Sequence, residues 1–382
     1  MRHLIFTFFA ILILSSSVKA QSINTLVDVG GYNMNFNIIK GKGIPILFEA
    51  GAGNDASVWG KLLLESIHKV TGTTLITYDR SGLGKSELNP NLVEDSKFGI
   101  LNGVVELEKG LKALGFDNDI ILVSHSYGGF LNALYSARHP KRVKHIILID
   151  HSHVSFWTKE LLKKEFPNEI LKKNYVGNMA QYYLHKNYIE TCRIMSKTPF
   201  PSNLPITNIF SESMFPDSPN RWRDIHREFG YKNPNVKNIT AHGSGHEIFK
   251  DNPVLVINAI IKAYSETLNE GQKNEVLKRA LNNTIELSVE MKKNENAYSH
   301  SEDDLNEWGY LLMRSGELEK ALLVFKLNTI LNPESSNTFD SYGEILMKLN
   351  RYKEAIQMYK KSVELNPENG NGKKMLSILK QK

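Results

Sequence analysis

The stretch that most constrains the fold is Asp119-Ile120-Ile121-Leu122-Val123-Ser124-His125-Ser126-Tyr127-Gly128-Gly129. An apolar run of strand length passes almost at once into a helical pattern from Gly129 to Arg138, which His139-Pro140 stops. A strand that turns so sharply into a helix brings the two backbones close together, so the flanking residues must be small. Gly128 and Gly129 meet that demand, and Ser124 is the next smallest choice. Such a turn lifts the Ser126 hydroxyl above the strand ends. A serine here could also simply cap the helix. The buried strand before it and the apolar helix after it favour the reactive hydroxyl.

From Leu26 to about Tyr264 strand-like and helix-like stretches alternate, which predicts an α/β protein with a mostly parallel sheet. The strand candidates are Ile44–Phe48, Thr74–Tyr78, Asp119–Val123, Val143–Ile149, Ile206–Phe210 and Val236–Thr240. Their continuous apolar character suits strands covered on both faces. Thr25–Ile39, with Gly30-Gly31, reads as an antiparallel hairpin at the sheet edge. Residues 153 to about 200 interrupt the alternation with Phe156, Trp157, Tyr175, Tyr182, Tyr183 and Tyr188 at helical spacing. An insertion between two strands must rise above the sheet, so this segment is expected to be a helical cap over a pocket.

The C-terminal part has a different organisation. Leu305–Pro333 recurs as Phe339–Pro367, an offset of 34 residues. Trp308 matches Tyr342, Gly309 matches Gly343, Ala321 matches Ala355, Phe325 matches Tyr359, and Asn332-Pro333 matches Asn366-Pro367. That period and pattern are those of tetratricopeptide helix pairs, in which the alanines let paired helices approach closely. Two repeats bury little alone and need a covering surface. The helical stretches Lys273–Lys292 and Lys373–Lys380 could supply it. The expected organisation is a signal peptide (1–20), a sheet domain (21–268), a helical linker (269–300) and a repeat array with a terminal helix (301–382).

At the N-terminus, Arg2 and His3 precede an apolar run from Leu4 to Leu14, and Val18-Lys19-Ala20 ends in small residues. This predicts a secretory signal peptide cleaved after Ala20 and a periplasmic or secreted protein. The run is shorter than the roughly 20 residues that span a bilayer. Cys192 is the only cysteine, so an internal disulfide cannot form. The net charge of +6 is spread between acidic neighbours rather than gathered into a stripe, which argues against nucleic-acid binding.

With these landmarks in place, Leu26–Tyr264 resembles the α/β-hydrolase superfamily. Glu49-Ala50-Gly51-Ala52-Gly53 is similar to its oxyanion-hole loop, and Tyr78-Asp79-Arg80-Ser81-Gly82-Leu83-Gly84-Lys85-Ser86 to its Asp-Arg-x-Gly-x-Gly-x-Ser turn. Ser244-Gly245-His246 follows the last strand, where that family keeps its histidine. Ser124 stands where relatives usually have glycine. The resemblance implies an acyl-enzyme mechanism with Ser126 as nucleophile and His246 as base. Gly245 would let the loop bring His246 over Ser126. His125 should point away from the nucleophile, and His125 and His242 are expected to be structural.

The third member must be a carboxylate. Asp150, at the end of Val143–Ile149, gives the chain order Ser, Asp, His. Many relatives place the acid one strand later, where Glu212 and Asp217 stand, so Glu212 is the alternative to Asp150. The amides of Ala52 and Tyr127 are the expected oxyanion donors. Gly51-Ala52-Gly53 lacks the Gly-Lys-Ser/Thr that would make it a phosphate loop. No cofactor is expected. No metal is expected either, since His151 and His153 are too close in sequence for the usual zinc pair. A serine nucleophile argues against the dehalogenase and epoxide hydrolase branches, which the resemblance associates with aspartate. The expected substrate is a small-molecule carboxylic ester with an apolar part, with an amide or peptide as the enzymatic alternative. A non-catalytic protein that binds a protein or peptide partner through its repeats is the alternative of another kind.

Overall fold

The computed structural model describes residues 22–90, 99–167, 169–211, 219–293, 302–314 and 316–379. The expected signal peptide therefore lies outside the described residues, as do Glu212 and Asp217. Among the described residues no helix is long and apolar enough to cross a membrane.

The strands are β1 (Ser22–Asp28), β2 (Asn33–Ile39), β3 (Ile46–Glu49), β4 (Leu75–Tyr78), β5 (Ile120–His125), β6 (Val143–Ile149), β7 (Ile206–Ser211) and β8 (Val236–Ala241). They form one sheet in the order β1-β2-β4-β3-β5-β6-β7-β8. The hairpin β1–β2 joins antiparallel to β4, and from β4 to β8 every pairing is parallel. Strands β3, β4, β5 and β7 are buried at every position. This is why they read as unbroken apolar runs rather than alternating ones. After β3 the chain steps to β4 on one side and then returns to β5 on the other. The carboxyl ends of β3 and β5 therefore flank the crevice where open α/β sheets bind ligands.

Helices α1 (Lys61–Thr71), α2 (Ile100–Ala113) and α3 (Gly128–Arg138) connect the first parallel strands. The cap contains α4 (Lys159–Glu165) and α5 (Met179–Met195), and α6 (Pro219–Lys232), α7 (Ile248–Asp251) and α8 (Pro253–Ser265) complete the sheet module. One core layer joins α2 and α3 to the sheet and the cap, with Phe36, Val104, Leu107, Phe130 and Tyr188 buried in it. The other joins α1 and α8 to the opposite face. The expected linker contains α9 (Glu270–Lys293), whose Val276, Ala280 and Leu287 are buried in that second layer.

The repeat array is α10 (Glu302–Arg314), α11 (Leu318–Leu331), α12 (Ser336–Lys348), α13 (Tyr352–Leu365) and α14 (Gly370–Leu379). Its core holds Ala321, Phe325, Ala355 and Tyr359, all fully buried. The recurrent glycines are as constrained as the alanines. A Cβ at Gly309 would lie 2.6 Å from the Phe325 ring, and one at Gly343 would lie 2.9 Å from the Tyr359 ring. Glycine inside a helix ordinarily costs about 1 kcal/mol relative to alanine. Here the aromatic ring of the paired helix occupies the methyl's place. Gly309→Ala is therefore expected to destabilise the chain by about 1–3 kcal/mol, against helix propensity. Denaturant unfolding of the full chain measures it, and a variant as stable as wild type would contradict this packing.

Candidate active site

The turn after β5 holds Ser126 at φ +52, in the left-handed region. That conformation costs a residue with a side chain on the order of 1–3 kcal/mol and persists only where the surroundings enforce it. Here the Ser126 N–H donates to the Ile149 carbonyl at 3.2 Å, and its own carbonyl accepts from Gly129 and Ser152 at 3.0 and 2.9 Å. The neighbouring glycines have no room for a side chain. A Cβ at Gly128 would meet the Glu49 carbonyl oxygen at 2.7 Å, and one at Gly129 would meet the His151 Cβ at 2.6 Å. Ser124 is fully buried, and among the described residues its hydroxyl has no hydrogen-bond partner.

Asp150, at the end of β6, is also in the left-handed region, with φ +43. Its carboxylate is fully buried and every lobe is met by a donor. Oδ1 accepts from the Ser211 amide at 2.8 Å and from Trp222 Nε1 at 2.9 Å. Oδ2 accepts from Ser211 Oγ at 2.9 Å and lies 2.7 Å from His246 Nδ1. Facing a carboxylate, Nδ1 is assigned the imidazole proton, which leaves Nε2 with the lone pair. Among the described residues no hydrogen bond joins Ser126 Oγ to His246. Such bonds are often long in substrate-free enzymes and tighten around the substrate.

The left-handed residue in the His246 loop is Gly243 (φ +69), whereas Gly245 has an ordinary backbone and donates its N–H to Asp251 at 2.7 Å. The expected hinge thus lies two residues earlier. His125 does turn to the sheet face opposite the cap, against Phe249, with ring centroids 5.0 Å apart. It is still near the site: its ring lies 4.5 Å from that of His246, and its Nε2 is 3.0 Å from the His246 carbonyl oxygen. Burial, reinforced by the neighbouring His246, lowers the His125 pKa to about 3, so at neutral pH it is an uncharged donor to that carbonyl.

Ala52 and Tyr127 follow β3 and β5, on the two sides of the crevice. Among the described residues neither amide N–H has a protein acceptor. The Ala52 loop is held by Arg80, which donates to the carbonyls of Ala50 at 2.6 Å and Gly51 at 2.5 Å and to Glu49 Oε1 at 2.6 Å. Tyr78 donates to the other oxygen of Glu49. Burial raises the Glu49 pKa, opposed by Arg80 and Tyr78. Asp79 organises the neighbouring turn, accepting from the Ala56 and Lys85 amides and from Asn35 Nδ2.

The cap departs from expectation in one respect. Phe156, Tyr182, Tyr183 and Tyr188 are buried, and Phe166 stacks on Tyr188 with centroids 3.8 Å apart. The rings around Tyr188 are spent on holding the cap together, and of the four only Tyr183 is in the wall of the cavity below. That cavity measures about 80 Å³, and its walls include Gly53, Arg80, Leu83, Tyr127, Leu131 and Tyr183. His151 packs with His153 and His226, but among the described residues no group is arranged to hold a metal ion.

Sequence reasoning passed over Trp222 and Ser211. Ser211 carried a weak signal, since it closes the strand beside the one that ends at Asp150. Trp222 carried none beyond being a tryptophan in a polar helix. Arg80 belonged to a quoted motif, and its grip on the Ala52 loop emerges only from the structure. Arg80→Met would leave the buried Glu49 carboxylate with Tyr78 alone, at a cost of about 3–5 kcal/mol. A carboxyl group whose folded pKa lies above its unfolded value binds more protons in the folded state, so that penalty shrinks as pH falls. Denaturant melts should show a larger loss for Arg80→Met at pH 8 than at pH 5, and an equal loss at both would contradict it.

The chain can now be set beside known proteins. The model of the alpha/beta hydrolase fold family matches residues 44–301, and a tetratricopeptide repeat model matches residues 343–369. An uncharacterised Bacillus subtilis protein, YqjL, is 26% identical over 57% of this chain and 82% of its own length. A Pseudomonas putida 2-hydroxy-6-oxo-2,4-heptadienoate hydrolase is 25% identical over 55% of this chain and 73% of its own. A bovine (lyso)-N-acylphosphatidylethanolamine lipase is 34% identical, over 28% of this chain and 30% of the lipase. The crystal structure of epoxide hydrolase VrEH1 from Vigna radiata shares the fold, with a TM-score of 0.50 at 14% identity over 65% of this chain and 99% of that one. By the match across its sheet, its strand order and its closing helices, the chain belongs to the alpha/beta hydrolase fold family.

Proposed function

We propose that this chain is an exported serine hydrolase that cleaves short carboxylic esters through an acyl-enzyme. The observation that carries the reading is the Asp150–His246 bond of 2.7 Å, made by a carboxylate whose other lone pairs are occupied, beside a serine held at φ +52. With Nδ1 protonated toward Asp150, His246 Nε2 is the base. It takes the Ser126 proton as Oγ adds to the ester carbonyl. The oxygen that becomes negative is received by the Ala52 and Tyr127 amides, two donors with no acceptor among the described residues to give up. His246 then returns the proton to the departing alcohol. Water repeats the sequence on the acyl-enzyme and releases the acid. Export rests on the N-terminal pattern of Arg2-His3, Leu4–Leu14 and Ala20. The repeat array offers a surface to a protein or peptide partner.

A fluorophosphonate probe is expected to label wild type but not Ser126→Ala, and label retained by the variant would sink the assignment. Asp150→Asn should keep the fold yet lower ester turnover by about 10⁴, because the imidazole would lose its tautomer and its counter-charge.

The cavity under the cap has Tyr127 and Gly53, the neighbours of Ser126 and Ala52, in its wall, and read as the acyl site its small volume favours short acyl groups. Each methylene that does not fit costs on the order of 1–3 kcal/mol in discrimination. p-Nitrophenyl acetate or butyrate should therefore exceed the octanoate in kcat/KM by about tenfold or more. A preference for the octanoate would mean that the cap opens during turnover. Faster cleavage of aminoacyl amides than of any ester would move the proposal to an amidase.

A further inference from the structure

The loop that carries His246 is gripped from outside the sheet module. It runs from Ala241, the last residue of β8, to Asn252, which caps α8 by accepting from the Leu255 amide at 3.1 Å. Few side chains of its first half are buried: Gly243 is exposed, and His242 and Gly245 are only partly covered. Within the module it is held by Gly245 on Asp251 and by His125 on the His246 carbonyl.

Two further bonds come from Asp304, in the first turn of α10. Oδ1 accepts the His242 N–H at 3.0 Å, and Oδ2 accepts Asn252 Nδ2 at 2.6 Å. One carboxylate of the repeat array thus ties the beginning of the His246 segment to its end. One turn further along α10, Glu307 Oε2 lies 3.1 Å from His242 Nε2. Docking of the array has separate support. Helix α9 packs against α1 and α8 and touches α11. The Asp304 bonds described here go to the two ends of the His246 segment itself.

We propose that Asp304 is a positioning residue for hydrolysis: by bridging His242 and Asn252 it fixes the loop that presents His246 to Asp150, so the first tetratricopeptide helix completes the active site. This rests on the roles of Ser126 and His246 given under Proposed function. It also gives the fusion of the two modules a physical meaning, because whatever shifts α10 is felt at the base.

The test uses the full chain, with p-nitrophenyl acetate turnover and the rate of fluorophosphonate labelling. Asp304→Ala is expected to lower kcat roughly tenfold, as a small misplacement of a catalytic group does. KM should stay within about twofold, because the acyl cavity is untouched, and labelling should slow by the same factor as kcat. Asp304→Asn keeps one acceptor oxygen for two donors and should fall between, at about a threefold loss. Asp340→Ala is the control. Its carboxylate holds Asn369 and Asn371 elsewhere in the array, and its removal should leave kcat at the wild-type value.

Wild-type kcat in both Asp304 variants overturns the proposal. So do equal losses in Asp304→Ala and Asp340→Ala, since the effect would then be general destabilisation. If the alanine variant does not fold, the asparagine variant decides by the same reading. A wild-type chain that neither labels nor turns over ester removes the hydrolytic reading itself, and the positioning proposal with it. An active wild type with unaffected Asp304 variants removes only the latter.

Discussion

A carboxylate with no access to solvent must be surrounded by donors, and the Asp150 side chain is such a group. Its partners come from three places: the end of β7 gives Ser211, the first half of α6 gives Trp222, and the loop after β8 gives His246. The single group therefore fixes how three separate segments close over the edge of the sheet. Removing any one donor would leave charge uncompensated in a dry place, which is more costly than the bond itself was worth. The arrangement also leaves His246 one permitted tautomer, so the chemistry of its second nitrogen is set by a residue on the far side of the ring.

The parts of this picture that were legible in the sequence are those that depend on local pattern. Strands buried on both faces write themselves as apolar runs, and the boundaries expected for Val143–Ile149 agree with β6 at both ends. The edge hairpin was readable from Gly30-Gly31 between two short strand-like stretches, and the helix after Ser126 from its pattern up to His139-Pro140. The repeats were readable because close helix packing leaves a fixed spacing of small and aromatic residues. What could not be read depends on where distant segments meet. Trp222 reaches Asp150 across a sequence separation of 72 residues from within a helix whose other residues are mostly polar. The cap aromatics were correctly placed above the sheet, but sequence could not tell rings that line a pocket from rings that fill one. Phe166 on Tyr188 and Trp157 against Tyr188 fill it.

The repeat array illustrates how a short solenoid is completed. Its two helix pairs share a core around Phe325 and Tyr359, and α11 also touches α9, outside the array. The same α9 contributes Val276, Ala280 and Leu287 to the core beneath α1 and α8. A helix seated in one core and touching α11 of the array is not a free tether between them. It transmits position, and the carboxylate of Asp304 makes use of that position at the His246 loop.

The two left-handed residues of the site, Ser126 and Asp150, follow adjacent parallel strands and are tied to their neighbours through the backbone: Ser126 N–H donates to Ile149, and the Asp150 N–H donates to Ile209 at 2.7 Å. Each is held in an unfavourable conformation by the strand next to it rather than by its own sequence. Those strands are anchored in the core, β5 and β7 being buried at every position and β6 at every position but Lys144. The apolar interior thus does more than stabilise the fold. It converts hydrophobic burial, which has no direction, into the fixed backbone geometry of Ser126 and Asp150, on which the proposed hydrolysis rests.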